Sequence, residues 1–158
     1  TTYDYRVSEE MDKMDGAYDY DAVISVQWPF GYGLSYTTFG YDNFRTSADT
    51  FTAGDDITLS VDVTNTGTMT GKETVMLFSR DMVASLTPEN RRLRAFRKIE
   101  LKPGEKRTVS FNLKGSDLAF VGADGKWILE KGKFRMQAGD KILCLECTET
   151  HKWDTQNK

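Results

Sequence analysis

The sequence predicts an all-β fold, an antiparallel sandwich of the immunoglobulin-like type with about seven main strands. Turn-forming residues recur every 8 to 14 residues through roughly 115 residues of the chain. Between the turns, apolar and polar residues alternate with the period of two that places one face of a strand on a core. The clearest case is Ile57 to Thr64, in which Ile57, Leu59, Val61 and Val63 alternate with polar residues. No long amphipathic helix interrupts this pattern, which is typical of a sandwich.

The first half of the chain is predicted to hold an irregular lead followed by three strands. The strand from residue 71 to residue 80 is apolar on both faces, so we expect it to be central. The predicted elements, in order, are a short strand at Ala22 to Trp28, a strand at Ser35 to Thr46, a turn at Ala53 to Asp56, a strand at Ile57 to Thr64 that ends at Asn65-Thr66-Gly67, a strand at Gly71 to Arg80 and a loop at Met82 to Asn90.

The second half is predicted to hold four longer strands and a hairpin. The basic run that begins at Arg91 suits a strand whose charges discourage pairing at a sheet edge. Ser116 is a plausible N-cap for one helical turn. The predicted elements are strands at Arg92 to Leu101, Thr108 to Leu113, Lys133 to Ala138 and Lys141 to Thr148, a turn at Lys102 to Glu105, a hairpin around Asp124-Gly125 and a polar tail at Glu149 to Lys158 that frays.

Composition narrows the classes of function. The net charge is −3, so no electrostatic argument favours nucleic acid or an anionic membrane. No apolar run approaches the roughly 20 residues that span a bilayer, and no signal-peptide pattern is present. The chain begins Thr-Thr-Tyr without an initiator Met, so we expect a processed product or, more simply, a fragment of a longer protein.

No catalytic, cofactor or metal site is predicted within the chain. A glycosidase needs two positioned carboxylates, but the pairs Asp19/Asp21 and Asp55/Asp56 are more simply explained as solvated residues or as local turn hydrogen bonds. His151 is the single histidine and lies in the polar tail. Cys144 and Cys147 fall on a predicted strand, where residues three apart point to opposite faces and are about 10 Å apart. They are therefore expected to form neither a disulfide nor a zinc site.

The lead is rich in tyrosine and acidic residues, and all seven tyrosines lie at or before Tyr41. Tyrosine combines a large apolar area with a polar end, which suits a partly hydrated interface. The lead ends in the run Pro29 to Phe39, in which Gly31 and Gly33 alternate with aromatic residues. Because proline fixes φ and glycine relaxes it, we expect a compact turn that opens into the first strand. The lead could wrap its own sandwich or lie against another domain.

An ordered set of motifs covers the chain to about Gly139. It comprises Tyr18-Asp19-Tyr20-Asp21-Ala22-Val23, the run Pro29 to Phe39, Val61-Asp62-Val63-Thr64-Asn65-Thr66-Gly67, Leu101-Lys102-Pro103-Gly104-Glu105 and Asp124-Gly125-Lys126-Trp127. In this order the motifs resemble the C-terminal fibronectin type III-like domain of family 3 glycoside hydrolases, the β-glucosidase family, with the segment that leads into it. One motif alone would be weak, because such turns occur in most β-sandwiches.

The resemblance implies a non-catalytic domain that braces the catalytic domains of the same polypeptide. In this family the nucleophilic Asp lies in an N-terminal barrel domain and the acid/base Glu usually in the next domain, so no catalytic residue carries over. The implied setting is carbohydrate metabolism in a secreted or periplasmic bacterial enzyme. We expect residues 1–34 to be a linker, 35–148 the sandwich and 149–158 the tail. The residues expected to dock on the catalytic domains are Tyr18, Tyr20, Trp28, Phe30, Gly31, Tyr32 and Gly33.

Two alternatives from other classes stay open. Exposed aromatic side chains stack on sugars, so the chain could be an autonomous carbohydrate-binding module. The candidates for stacking on sugar are Trp28, Tyr32, Trp127 and Trp153. We select Trp127 as the sugar-binding residue to test, although it is also expected to cover the core. A free-standing adhesion or interaction domain is the second alternative. Whatever its function, the isolated fragment could form a homodimer through its exposed aromatic lead.

Overall fold

A computed structural model describes residues 32–86 and 91–154 of the chain. This part contains eleven strands and one 3-10 helix, at Gly115–Leu118. The strands are β1 (Phe39–Thr46), β2 (Thr50–Phe51), β3 (Asp56–Asn65), β4 (Gly71–Asp81), β5 (Arg92–Leu101), β6 (Lys106–Lys114), β7 (Phe120–Val121), β8 (Trp127–Leu129), β9 (Gly132–Ala138), β10 (Lys141–Cys147) and β11 (His151–Lys152).

Two sheets pack face to face, one with the order β1-β3-β6 and one with the order β2-β10-β9-β4-β5. A small third sheet has the order β11-β8-β7. The pairs are antiparallel except that of β2 with β10. The predicted sandwich of about seven main strands is confirmed, because seven strands have seven residues or more. As expected, β4 is internal, between β9 and β5.

The core lies between the two sheets, and the alternation in the sequence places its side chains. In β3, Ile57, Leu59, Val61 and Val63 are 2% exposed or less. Phe134 of β9 is equally buried and meets the ring of Phe51 edge to face, with ring centroids 5.6 Å apart. Burying each side chain of this size contributes ~1.5–3 kcal/mol. The outward side chains of β3 are polar and bond to those of β6, as Ser60 Oγ does with Ser110 Oγ at 2.8 Å.

Three local predictions differ from the structure. β1 begins at Phe39 rather than at Ser35. The 3-10 helix is capped by Lys114, whose backbone N–H donates to Asp117 Oδ2 at 2.9 Å, so the proposed Ser116 cap is wrong. The tail does not fray at His151 and Lys152, which pair with β8 as β11. The strand predicted at Ala22 to Trp28 lies outside the described residues.

Strand β5 and the two cysteines follow their predictions. β5 forms an edge of the five-stranded sheet, with Phe96, Arg97 and Lys98 exposed. Cys144 is exposed and Cys147 is buried, so they lie on opposite faces of β10 and are not bonded to each other. Burial raises the pKa of the Cys147 thiol. Within residues 32–86 and 91–154 the structure has no apolar helix of membrane-spanning length.

Candidate interdomain docking site

The lead joins the sandwich at Thr37, which is only 9% exposed although its neighbours on both sides are exposed. The Thr37 hydroxyl donates to Asn65 Oδ1 at 2.7 Å. The next residue is held as well, because Thr66 N–H donates to the Thr38 carbonyl at 2.8 Å. The lead is therefore fixed to the loop between β3 and β4 before β1 begins.

Asn65 is the centre of this attachment and is fully buried. Its side-chain amide donates to the carbonyls of Met69 at 2.7 Å and Leu101 at 2.9 Å. Its Oδ1 accepts from Gly67 N–H at 3.1 Å as well as from Thr37. The backbone of Asn65 donates to the carbonyl of Glu105 and accepts from the N–H of Gly104. An asparagine side chain offers both donors and acceptors, so one residue ties together the lead, the β3–β4 loop, the end of β5 and the β5–β6 turn.

Two glycines make room for Thr37. A Cβ atom on Gly67 would lie 2.2 Å from Thr37 Oγ1, and one on Gly71 would lie 2.4 Å from Thr37 Cγ2. Real side chains do not approach this closely, so any larger residue would push Thr37 out of its position. Both glycines therefore contribute to the attachment through the absence of a side chain.

On the N-terminal side of Thr37, the lead presents apolar side chains to solvent. Leu34 is 91% exposed, Tyr36 96% and Tyr32 57%, and Met69 of the β3–β4 loop is 55% exposed. We call these four residues the lead face. A single exposed apolar residue is ordinary, but several on one anchored segment are typical of an interaction surface.

A charged groove borders the attachment on the β5–β6 turn. It has a volume of about 630 Å³ and is lined by Glu100, Lys102, Pro103, Gly104, Glu105 and Arg107. The Glu105 carboxylate accepts from Lys102 N–H at 2.9 Å and from Arg107 at 2.6 Å. These bonds, the Lys102 N–H first, hold the pKa of Glu105 below its usual value. This end of the sandwich thus combines apolar projections with a polar rim, as protein interfaces do.

The sequence-predicted docking residues fall partly inside this site. Tyr32 is in the lead face. A Cβ atom on Gly33 would meet nothing within 4 Å, so the role predicted for Gly33 in docking stays a prediction. Tyr18, Tyr20, Trp28, Phe30 and Gly31 lie outside the described residues. The prediction did not include Leu34, Tyr36 or Asn65. The signal for Asn65 was present, because the alternation that turns Ile57 to Val63 inward places residue 65 on the same face.

Trp127 lies at the other end of the sandwich. It is half-buried, packs against the core and receives a backbone hydrogen bond from Trp153 N–H at 3.0 Å. It also lines a cavity of about 320 Å³, together with Leu118, Phe120 and Val121. Trp127 therefore covers the core, as one reading expected, and its role in sugar binding stays a prediction.

Two carboxylates, Asp55 and Asp81, differ in their hydrogen bonding. Asp55 Oδ2 accepts from the backbone N–H of Thr52 at 2.7 Å and from its hydroxyl at 2.9 Å, which confirms the predicted turn bond. Asp81 lines the cavity, and its Oδ2 is buried with no hydrogen-bond partner among the residues that the structure describes. Burial, and secondarily the nearby Glu130, raise the pKa of Asp81. Within residues 32–86 and 91–154, no cluster of His, Cys, Asp and Glu could hold a metal ion.

Asp81→Asn is expected to raise the melting temperature at pH 7, because a buried carboxylate with a raised pKa is destabilising while it is charged. The Val83 N–H to Oδ1 bond, 3.2 Å long, is kept by asparagine. The gain should shrink as the pH falls through the folded pKa and vanish below the unfolded value of about 4. Thermal melts of both proteins from pH 7 to pH 3.5 measure this. A lower melting temperature for Asp81→Asn at pH 7 would contradict the assignment.

Comparison with known proteins identifies relatives of this chain in sequence and in structure. A fibronectin type III-like domain model matches residues 73–142. The lysosomal β-glucosidase of Dictyostelium discoideum is 37% identical over 81% of the chain, and a β-xylosidase of Formosa agariphila is 43% identical over 71%. The structure of the β-glucosidase EmGH1 from Erythrobacter marinus superposes with a TM-score of 0.74, with 34% identity over 80% of the chain.

In each case the match covers a small part of a longer protein. The chain spans 17% of the Dictyostelium protein, 16% of the Formosa protein and 18% of the EmGH1 chain. The matches agree with the resemblance that the ordered motifs indicated. The chain therefore carries the fibronectin type III-like domain that is found in family 3 glycoside hydrolases.

Proposed function

We propose that this chain is the C-terminal accessory domain, with its inbound linker, of a β-glucosidase-type glycoside hydrolase, and that it braces the catalytic domains. The observation that carries the proposal is the lead face, which presents Leu34 and Tyr36 at more than nine-tenths exposure directly before the anchored Thr37. A linker held in this way transmits the position of one domain to the next. A flexible tether would need neither the buried Asn65 nor the notch around Thr37.

The energetic argument favours a partner for the lead face. Covering apolar surface contributes about 25 cal/mol per Å². Leu34 and Tyr36 gain almost none of it within the described sandwich, and Met69 gains about half. Tyrosine is also among the residues that carry binding energy in interfaces. The sequence-predicted contacts Tyr18, Tyr20, Trp28 and Phe30 would extend the same surface into the linker. The chemistry of hydrolysis would then belong to the rest of the parent polypeptide.

Truncating the lead face is expected to lower the melting temperature of the full-length gene product by several degrees. The lead-face variant is Leu34→Ser with Tyr36→Ser, and Trp28→Ala is a separate variant in the linker. In the 158-residue chain, Leu34→Ser with Tyr36→Ser should leave melting unchanged, because both side chains are exposed there. Scanning calorimetry of both proteins makes the comparison. Phe96→Ser is the matched control, since Phe96 is 68% exposed on the β5 edge. Equal melting of variants and control in the full-length product would contradict bracing.

Carbohydrate binding is the second candidate, and the cavity beside Trp127 favours it. Its volume of about 320 Å³ lies at the lower end of the range for small-molecule pockets. Phe120 and Trp127 supply aromatic surface to its wall. Retardation of the 158-residue chain in a gel containing soluble β-glucan tests this function. Loss of retardation in Trp127→Ala, with an unchanged circular dichroism spectrum, would support it. Unretarded migration of the wild-type chain would exclude it for this glucan.

Secretion or a periplasmic location, and a homodimer of the isolated chain, remain predictions. Fractionation of the native host tests the location, and sedimentation of the 158-residue chain tests the dimer. If the chain sediments as a monomer over a wide concentration range, the predicted homodimer is wrong. The substrate of the parent enzyme follows from the rest of the gene rather than from this domain.

A further inference from the structure

A second apolar surface lies at the opposite end of the sandwich from the lead. It comprises Met82, Val83, Leu86 and Val121, which are 45%, 77%, 39% and 45% exposed. We call these four residues the distal patch. Strand β4 runs from Gly71, beside Thr37, to Asp81, directly before the patch. An eleven-residue strand separates its ends by about 33 Å, so the distal patch and the lead face are separate surfaces.

The backbone of the distal patch is held in place by three hydrogen bonds. Met82 N–H donates to the carbonyl of Lys133 at 3.0 Å. Val83 N–H donates to Asp81 Oδ1 at 3.2 Å, and Ser85 N–H donates to Glu130 Oε2 at 2.8 Å. These bonds fix the segment to β4, to β9 and to the loop between β8 and β9, while its apolar side chains face solvent. A surface held in advance loses little conformational freedom on binding, which favours affinity.

The cavity beside Trp127 opens at this patch. Leu86 and Val121 belong to both, and Leu118, Phe120 and Trp127 form apolar parts of the wall. A depression of this kind next to exposed aliphatic side chains is the usual receptor for one large anchor side chain of a partner. The cavity lining also has a polar and charged part, which comprises Ser79, Arg80, Asp81, Arg92 and Arg94. The apolar wall and the aliphatic rim are therefore the part of the cavity that would receive such an anchor.

We propose that the distal patch is a second docking surface for the catalytic portion of the parent polypeptide, which inserts an apolar or aromatic side chain into the cavity. The inference rests on the proposed function. The part of this chain that aligns spans only 16 to 18% of each relative, so most of such a polypeptide lies outside it. Contact at both ends of β4 would fix the orientation of the domain, which one contact at the lead leaves free to rotate.

The test compares the full-length gene product with the 158-residue chain. Val83→Glu places a charge on the most exposed patch residue, and Ile142→Glu is the control, since Ile142 is 49% exposed on β10. Val83→Glu should lower the melting temperature of the full-length product by several degrees and leave the 158-residue chain unchanged. Ile142→Glu should leave both unchanged. Hydrogen exchange of residues 82–86 should be slower in the full-length product than in the 158-residue chain.

Three results would overturn the proposal. If Val83→Glu has no effect while the lead-face variants lower the melting temperature, bracing stands and the second surface is wrong. If Val83→Glu abolishes a concentration-dependent dimer of the 158-residue chain, the patch binds a second copy instead. If cellobiose shifts the tryptophan fluorescence of this chain and Trp127→Phe removes the shift, the cavity is a sugar site. Failure of the lead-face and patch variants together would remove the proposed function itself.

Discussion

Asn65→Ala is expected to lower the free energy of unfolding of the 158-residue chain by about 3–5 kcal/mol. The substitution removes four side-chain hydrogen bonds, to Thr37, Gly67, Met69 and Leu101. An unsatisfied buried polar group costs about 1–3 kcal/mol, and Thr37 and Leu101 are buried. The groups of Gly67 and Met69 lie nearer to solvent and can bond to water. Urea unfolding followed by circular dichroism gives the change directly.

Asn112→Ala is the matched control for this experiment. Asn112 is exposed, and its side chain accepts one bond from the Thr58 hydroxyl at 3.0 Å. A surface substitution of this kind usually changes stability by less than about 0.5 kcal/mol. Asn65→Asp adds a second check, because it keeps the acceptor for Thr37 but loses both amide donors. If Asn65→Ala cost no more than Asn112→Ala, the attachment of the lead would not depend on Asn65.

The long strands could be predicted because each carries its own signal. Alternation placed β3, β6 and β9, and the positive φ of +75° at Gly125 and +58° at Gly139 suits the turns predicted there. The two-residue strands β2 and β11 carry no such signal. β2 pairs with β10 at Glu146 and Cys147, nearly a hundred residues away, so only the folded sandwich defines it. Tertiary context decides such short elements.

The candidate site was less predictable for the same physical reason. Aromatic composition and the Pro29 to Phe39 run indicated a docking lead, and Tyr32 was named from it. The partners of Asn65 are 28 residues away at Thr37 and 36 residues away at Leu101, and no local pattern specifies those pairs. Leu34 and Tyr36 are so exposed because Thr37 turns inward, and the secondary-structure propensities of the residues do not predict that turn. The distal patch likewise depends on hydrogen bonds that Met82 N–H and Ser85 N–H donate to Lys133 and Glu130, both more than 40 residues away.

Gly115→Ala is expected to destabilise the chain by about 3 kcal/mol, at the upper end of the usual overpacking cost. A Cβ atom at this position would lie 1.9 Å from the carbonyl oxygen of Thr52 and 3.0 Å from the ring of Phe51. The backbone cannot retreat easily, because Gly115 N–H donates to the carbonyl of Asp55 at 2.8 Å and Ser116 N–H donates to that of Ala53 at 2.9 Å. A loss of this size lowers the melting temperature by on the order of 10 °C.

The same substitution should reach the distal end of the sandwich, which links stability to the second docking surface. Gly115 starts the 3-10 helix, whose Leu118 lines the cavity and whose Asp117 carbonyl accepts from Arg94 at 2.6 Å. We therefore expect Gly115→Ala to change the near-ultraviolet circular dichroism of the tryptophans before unfolding begins. Gly54→Ala is the control, since a Cβ there meets nothing within 4 Å, and it should melt with the wild type or slightly above it. A Gly115→Ala protein that melts like Gly54→Ala would mean that the Thr52 loop yields, and that the cavity wall is not held by this contact.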